Sequence, residues 1–267
     1  MRESALAEAH SPRSVGGRWR RTGVKLAGVV LALALWQAYA MASGNRLVPG
    51  LPAIGAGLLE WLRDAEFWEH AASTVRHGLL GMAIALVLAA STGYLAARHW
   101  AADAAWHPIV NLLYPVPKLA LYPIVILVLG LDWPSRVAQV ALECYFPLFV
   151  HCYAGVRAVG PRMQWLARNA GASAWAQGRD IVWPSALPFL LTGLRVATPI
   201  MLIVTTVTEF IGDSQGLGHL IARSAAYFDT AAGLAVVIVL GAIGFVADRL
   251  LVLLRRRLVF WEQGPSL

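Results

Sequence analysis

Long apolar blocks separated by short polar segments dominate the order of residues. A helix crossing the hydrocarbon core of a bilayer needs about 20 mostly apolar residues. Blocks of that length predict spans over 24–42, 74–97, 108–131, 137–156, 187–211 and 231–254. The first follows a basic stretch (Arg13, Arg18, Arg20, Arg21, Lys25). A secretory leader begins in the same way, but this block is long for one, no small-residue cleavage site stands out, and further spans follow, so a retained helix is expected. The third block holds Pro115, Pro117 and Pro123 around Lys118. Each proline removes a backbone donor, which predicts a kinked or broken helix shielded by its neighbours.

Two connections are too long to be turns. In 43–73, a Pro/Gly-rich opening (Pro49, Gly50, Pro52) precedes Ile54, Leu58, Leu59 and Leu62 at helical spacing. That pattern predicts a short amphipathic helix lying on the membrane. Segment 160–185 is too polar to span and too rich in alanine for a linker. It reads as two short helices broken at Gly171, the second capped by Ser173 and closed by Pro184 and Pro188. Two helices about a glycine make a compact knob that a docking partner can grip.

Composition agrees with a membrane solvent. Of 267 residues, 58% are hydrophobic and 14% charged, with mean hydropathy +0.60, whereas soluble domains carry about 25% charged residues. The net charge of +7 sits at the ends of the apolar blocks, which is a topology signal and not a nucleic-acid footprint. Lys and Arg concentrate in the N-terminal tail, at Arg98, at Arg157, Arg162, Arg168 and Arg179, and at Arg249, Arg255, Arg256 and Arg257. The opposite segments hold only Arg46, Arg63, Arg76, Arg136 and Arg223. Both termini and 160–185 are therefore expected in the cytoplasm. Trp36, Trp106, Trp133 and Trp261 fall near span ends, where indole rings favour the interface. The expected organisation is a basic tail (1–23), a transmembrane domain (24–254) and a second tail (255–267). The fold class is an all-α integral membrane bundle of about six helices.

Catalytic patterns are missing. The sequence contains no Gly-x-x-x-x-Gly-Lys-Ser/Thr phosphate loop. His, Asp and Glu do not cluster as an intramembrane enzyme would require, and no metal site is expected. His70 and His77, two turns apart, read as interfacial histidines. Cys144 and Cys152 lie eight residues apart on one helix, about 12 Å along its axis, too far to pair.

The stretch Ala167-Arg-Asn-Ala-Gly171, followed after nine intervening residues by Ile181 and then by Pro184, resembles the cytoplasmic signature loop of ABC-transporter permeases. That signature reads Glu-Ala-Ala, three residues, Gly, nine residues, Ile, one residue, Leu-Pro. Leu47-Val-Pro49-Gly-Leu-Pro52, Pro115-Val-Pro-Lys-Leu-Ala-Leu-Tyr-Pro123, Thr208-Glu209-Phe210 and Gly216-Leu-Gly218 resemble the nitrate/sulfonate/taurine branch, in the expected order. The resemblance implies coupling helices that dock on a separate ABC ATPase subunit, through Trp165, Leu166, Ala167, Gly171, Ala172, Ser173, Trp175, Ile181 and Pro184. It implies no cofactor on this chain, ATP being bound by the partner. It further implies a second permease subunit in a homodimer, a periplasmic or lipid-anchored solute-binding protein, and the cell inner membrane. The solute is expected to be a small anion of the nitrate, sulfonate or taurine kind. The alternatives are a heteroaromatic vitamin precursor or a non-transport structural subunit, the latter explaining the bundle and the knob but not the ordered motifs. Two departures stand out: Trp165 and Leu166 replace Glu-Ala, and Trp183 replaces the Leu before Pro184.

Charges inside spans are costly and therefore functional candidates. Lys118 is a candidate for meeting an anion in the pathway. Glu143 is a candidate for pairing with a basic group. Arg195 is poised between snorkelling and a structural hydrogen bond. Glu209, before Gly212 and the Gly216–Gly218 turn, marks a gate or re-entrant element. Thr205, Thr206 and Thr208 offer hydroxyls either to a solute or to their own helix.

Overall fold

The computed structural model describes residues 15–212 and 214–261, the first eight as backbone only. Every regular element among them is helical: α1 (Val15–Ser43), α2 (Leu51–Arg63), α3 (Ala65–Arg98), α4 (Trp100–Leu113), α5 (Tyr122–Leu129), α6 (Trp133–Arg157), α7 (Pro161–Asn169), α8 (Ala174–Gln177), α9 (Trp183–Gly212), α10 (Leu217–Ala226) and α11 (Thr230–Leu258). Five of these are long and apolar enough to cross a membrane, and α4 with the 3-10 turn and α5 passes the same test only as a bent pair, the geometry of a broken span or a re-entrant loop. The bundle end carrying α7 and α8 is called the loop end, the opposite one the far end.

α6 is the centre, packed against α3 on one side and α9 on the other. Close approach at the loop end depends on missing side chains. A Cβ on Gly155 of α6 would lie 2.8 Å from Phe189 Cβ and 3.0 Å from Ala186 Cα, and one on Gly93 of α3 would lie 3.1 Å from Cys152 Cβ. Ala85, Ala89, Phe149, Cys152, Val182 and Ala186 fill the space between these helices. Both cysteines are buried free thiols.

α3 begins nine residues before the expected span, because Asp64 caps its first turn (Glu66 N–H to Oδ1, 3.0 Å). The third span differs most from a simple crossing: α4 starts at Trp100, ends at Leu113, and meets the 3-10 turn and α5 at 88°. Pro115 and Pro117 strip donors from the turn that would have continued α4. α2 does not merely lie on a membrane surface. Gly57 lets it approach the backbone of Ala231 and Ala232, and Trp61 Nε1 donates to Ala232 O at 3.1 Å. Ile54 is buried and Leu58 packs on the core, while Leu59 and Leu62 face outward. Pro184 does not close the second knob helix either. α8 runs through a π turn (Gly178–Val182) straight into α9. A wider turn accommodates a proline ring and a missing donor. α1 is the exception to the packing: none of its residues from Gly23 to Ser43 is buried. Among its described side chains it is tied near its end, where Trp36 Nε1 donates to Pro49 O (3.1 Å) and Leu51 N–H donates to Gln37 Oε1 (2.7 Å).

Candidate functional sites: the loop-end knob and the buried polar seam

The knob is built from a helix stop and a helix start. α7 ends in a paired turn in which Gly171 N–H donates to Arg168 O and Ala172 N–H to Ala167 O, both at 3.0 Å. This geometry needs a left-handed residue, and Gly171 has φ +76°. Ser173 Oγ then accepts from Ala176 N–H at 3.2 Å and starts α8. The buried Gln177 turns its amide back to Ala172 O (2.8 Å), tying the start of α8 to its end. Trp165, Leu166 and Trp175 are 68%, 59% and 75% exposed, while Ala167 is buried. The knob therefore presents an apolar face where the family signature has a carboxylate. The second departure has a partner: Trp183 stacks on Tyr94 of α3, centroids 5.6 Å apart and planes within 3°. Ile181 packs beside the loop-end core, and Pro184 sits in the first turn of α9.

Lys118 and Glu143 come together in the middle of the molecule, Nζ to Oε2 at 3.7 Å. The ammonium also donates to the carbonyls of Leu113 (3.5 Å), Tyr114 (3.2 Å) and Val116 (3.1 Å), and lies 4.5 Å from the Phe146 ring centroid. Lys118 thus supplies the donors that Pro115 and Pro117 cannot. Gln139 Nε2 donates to Lys118 O at 3.0 Å and ties the break to α6. At the loop end the same arm is held by Asp103, which accepts from Tyr153 (2.8 Å) and from Arg157 (3.3 Å).

Glu209 is fully buried and binds the start of α10. Its Oε2 accepts from Gly218 N–H (3.0 Å) and from Thr74 Oγ1 (2.9 Å). Thr74 Oγ1 accepts in turn from Leu217 N–H (2.8 Å), and His70 Nδ1 from Gly216 N–H (2.9 Å). A carboxylate at a helix N-terminus satisfies orphan amides and complements the dipole. The seat admits no side chain. Gly216 has φ +105° and its Cβ would meet the Glu209 carboxyl, while a Cβ on Gly218 would meet Thr206 O. α10 is thus a short helix folded back between α3, α9 and α11.

The remaining candidates separate from these. Arg195 is half-exposed and holds Asp248 of α11 with two bonds (2.6 and 3.4 Å). The pair closes the loop-end side of an apolar groove of about 620 Å³ between α9 and α11. Thr205 and Thr208 are buried, and their hydroxyls donate to Met201 O and Thr205 O, both at 2.8 Å. Thr206 likewise bonds Leu202 O. Sequence reasoning missed His70, Thr74, Gln139 and Asp248. His70 and His77, expected at the interface, are both 6% exposed. Their burial follows from α3 entering the bundle earlier than its hydropathy indicates. No group of three or more metal-ligating side chains occurs among the described residues.

The described residues thus form a multi-helix bundle with a two-helix knob at one end and a return helix seated on a buried carboxylate at the other. Residues 81–260 match the family of binding-protein-dependent transport system inner membrane components, and the chain belongs to it. It is a multi-pass inner-membrane protein. Members do not hydrolyse ATP themselves, and membership implies a separate ATPase subunit and a solute-binding protein as partners. The chain is 27% identical over 270 residues to the putative aliphatic sulfonates transport permease protein SsuC of Bacillus subtilis, covering 96% of this chain and 94% of that one. It is 28% identical to the taurine transport system permease protein TauC of Escherichia coli (74% and 72%). It is 30% identical to the riboflavin transport system permease protein RibX of Chloroflexus aurantiacus (91% of each). Among solved structures, a chain of the inward-facing MetNI methionine ABC transporter superposes with TM-score 0.52 at 19% identity, over 72% of this chain and 96% of that one. It shares the fold.

Proposed function

We propose that this chain is one half of a homodimeric, ATP-driven import channel for a small anionic solute of the sulfonate or taurine kind. The observation that carries the solute class is the alignment with sulfonate and taurine permeases over most of the chain. The charge asymmetry supports a cytoplasmic position for the loop end and both termini. There the exposed Trp165, Leu166 and Trp175 dock apolar surface into the ATPase subunit, which binds the ATP. Motion of that subunit is passed through the π turn into α9, because α8 and α9 are continuous. The far end receives solute from the binding protein. The uncovered α1, and an α5 on which Leu127 is 85% exposed, supply surface for a second copy and for lipid.

Within the membrane, Lys118 acts as a lock on the broken third span, since its donors are already engaged by carbonyls and Glu143. Glu209 acts as the seat of a far-end gate formed by α10. Arg195 joins α9 to α11, while Thr205 and Thr208 stabilise their own helix. A second solute class, a heteroaromatic vitamin or its precursor, is favoured by the relatives RibX and the formylaminopyrimidine permease ThiX. The test is reconstitution with the ATPase and binding protein in proteoliposomes. ATP hydrolysis stimulated by taurine or alkanesulfonates supports the first reading. Stimulation by riboflavin or formylaminopyrimidine alone replaces it with the second. Loss of ATPase co-purification on Gly171→Asp is expected, and unchanged co-purification and transport refute docking at the knob.

A further inference from the structure

The seat of α10 contains a titratable group that the transport scheme does not use. His70 Nδ1 accepts from the backbone N–H of Gly216 at 2.9 Å. A backbone amide can only donate, so this nitrogen carries no proton and the ring is neutral with its hydrogen on Nε2. Nε2 lies 3.5 Å from Glu66 Oε1. The ring stacks on His219 of α10, centroids 5.8 Å apart and planes within 18°. A far-end cavity of about 410 Å³, lined by Glu66, Glu69, His70, Ser73 and Arg76, gives protons a route to it.

We propose that His70 is a proton-sensitive catch for α10. A proton added to Nδ1 turns the acceptor into a donor aimed at another donor, and the bond to Gly216 is lost. His219, stacked alongside, adds like-charge repulsion across the α3–α10 contact when both rings are charged. The charged and titratable groups around the ring are Glu66, Glu69 and Arg76 on α3 and His219 on α10. The catch therefore holds at neutral pH and releases in acid, loosening the first turn of α10 while Glu209 still holds Gly218. Histidine is the side chain suited to such a transition in the mildly acidic range.

The test uses the full chain reconstituted with its ATPase and binding protein, with pH set separately on the two sides of the vesicle. Import by the wild type is expected to fall roughly threefold or more as far-side pH goes from 7.5 to 5.5. His70→Asn places an amide oxygen near the position of Nδ1, which accepts from Gly216 but does not titrate. Its import is expected to be near wild type at pH 7.5 and to lose the acid dependence. Hydrogen exchange of the Gly216 amide, corrected for intrinsic rates, is expected to speed up in acid in the wild type, independently of orientation or solute. Should His70→Asn follow the wild-type pH profile, or should that amide keep its protection at pH 5.5, the catch is refuted. If the variant does not accumulate, the wild-type exchange decides. Exchange that speeds up in acid with import responding only to loop-end pH upholds the catch and overturns the proposed orientation.

Discussion

The far half of the bundle adds a buried polar seam to a close helix packing that both halves share, for in the far half too a Cβ on Gly81 would lie 2.7 Å from Val140 and one on Gly78 3.1 Å from Thr205 Oγ1. In the far half, Ser73, Thr74 and His77 on α3, Ser135, Arg136 and Gln139 on α6, and Thr205, Thr208 and Glu209 on α9 are all buried. In the loop half the same three helices meet through Ala89, Gly93, Cys152, Gly155, Ala186 and Gly193. Directional hydrogen bonds specify one arrangement and penalise every other, because a buried polar group without a partner is costly in hydrocarbon. Small-residue contacts gain from dispersion over close backbones and tolerate sliding. The seat of α10 is thus specified bond by bond, through Glu209, Thr74 and His70, while Thr205 and Thr208 bond within their own helix. The half next to the knob meets largely through small side chains, the kind of contact that the proposed coupling motion requires.

This contrast can be broken from either side. The largest effect is expected from Gly218→Val, whose side chain collides with Thr206 O. α10 cannot seat, and the protein should fail to accumulate as a monodisperse species on size-exclusion chromatography. Glu209→Ala removes the acceptor for both Gly218 N–H and Thr74. Each bond to a charged group contributes about 1.5–3 kcal/mol, so a clear drop in Tm with loss of transport is expected in detergent melts. Gly155→Ala in the loop half presses on Phe189 and Ala186. Overpacking of this kind costs about 1–3 kcal/mol, and because these surfaces can shift, a smaller Tm drop than for Glu209→Ala is expected. A larger drop would reverse the comparison. Lys118→Met leaves the Leu113 and Tyr114 carbonyls short of donors. Combining it with Glu143→Gln should give less than the sum of the two single changes, as a double-mutant cycle of Tm values would measure. The smallest effect is expected for Arg195→Ala, since half-exposed ion pairs contribute little. Its Tm should stay near wild type.

The hydropathy blocks located α1, α3, α6, α9 and α11 in order, and the prolines around Lys118 marked the broken span. The turn at Gly171 was readable because only a left-handed residue completes the α7 stop. Hydropathy does not report partners, so Lys118 and Glu143 appeared as separate candidates when they form one ion pair. It also misplaced His70 and His77, because a polar residue near a span end looks the same whether it meets headgroups or a neighbouring helix. The knob signature pointed to Gly171, Ile181 and Pro184, yet the π turn joining α8 to α9 was not legible, since prolines ordinarily end helices.

What the sequence by itself determined is the solvent, the spans, the charge asymmetry and the spacing of the knob, all of which depend on local composition along the chain. What only the tertiary structure decided is which buried polar group bonds to which. Glu209, His70 and Thr74 meet because α10 folds back between α3 and α9, bringing together residues 135 to 146 positions apart. Hydrogen bonds act over about 3 Å, so no pattern along the chain encodes them until the helices have packed.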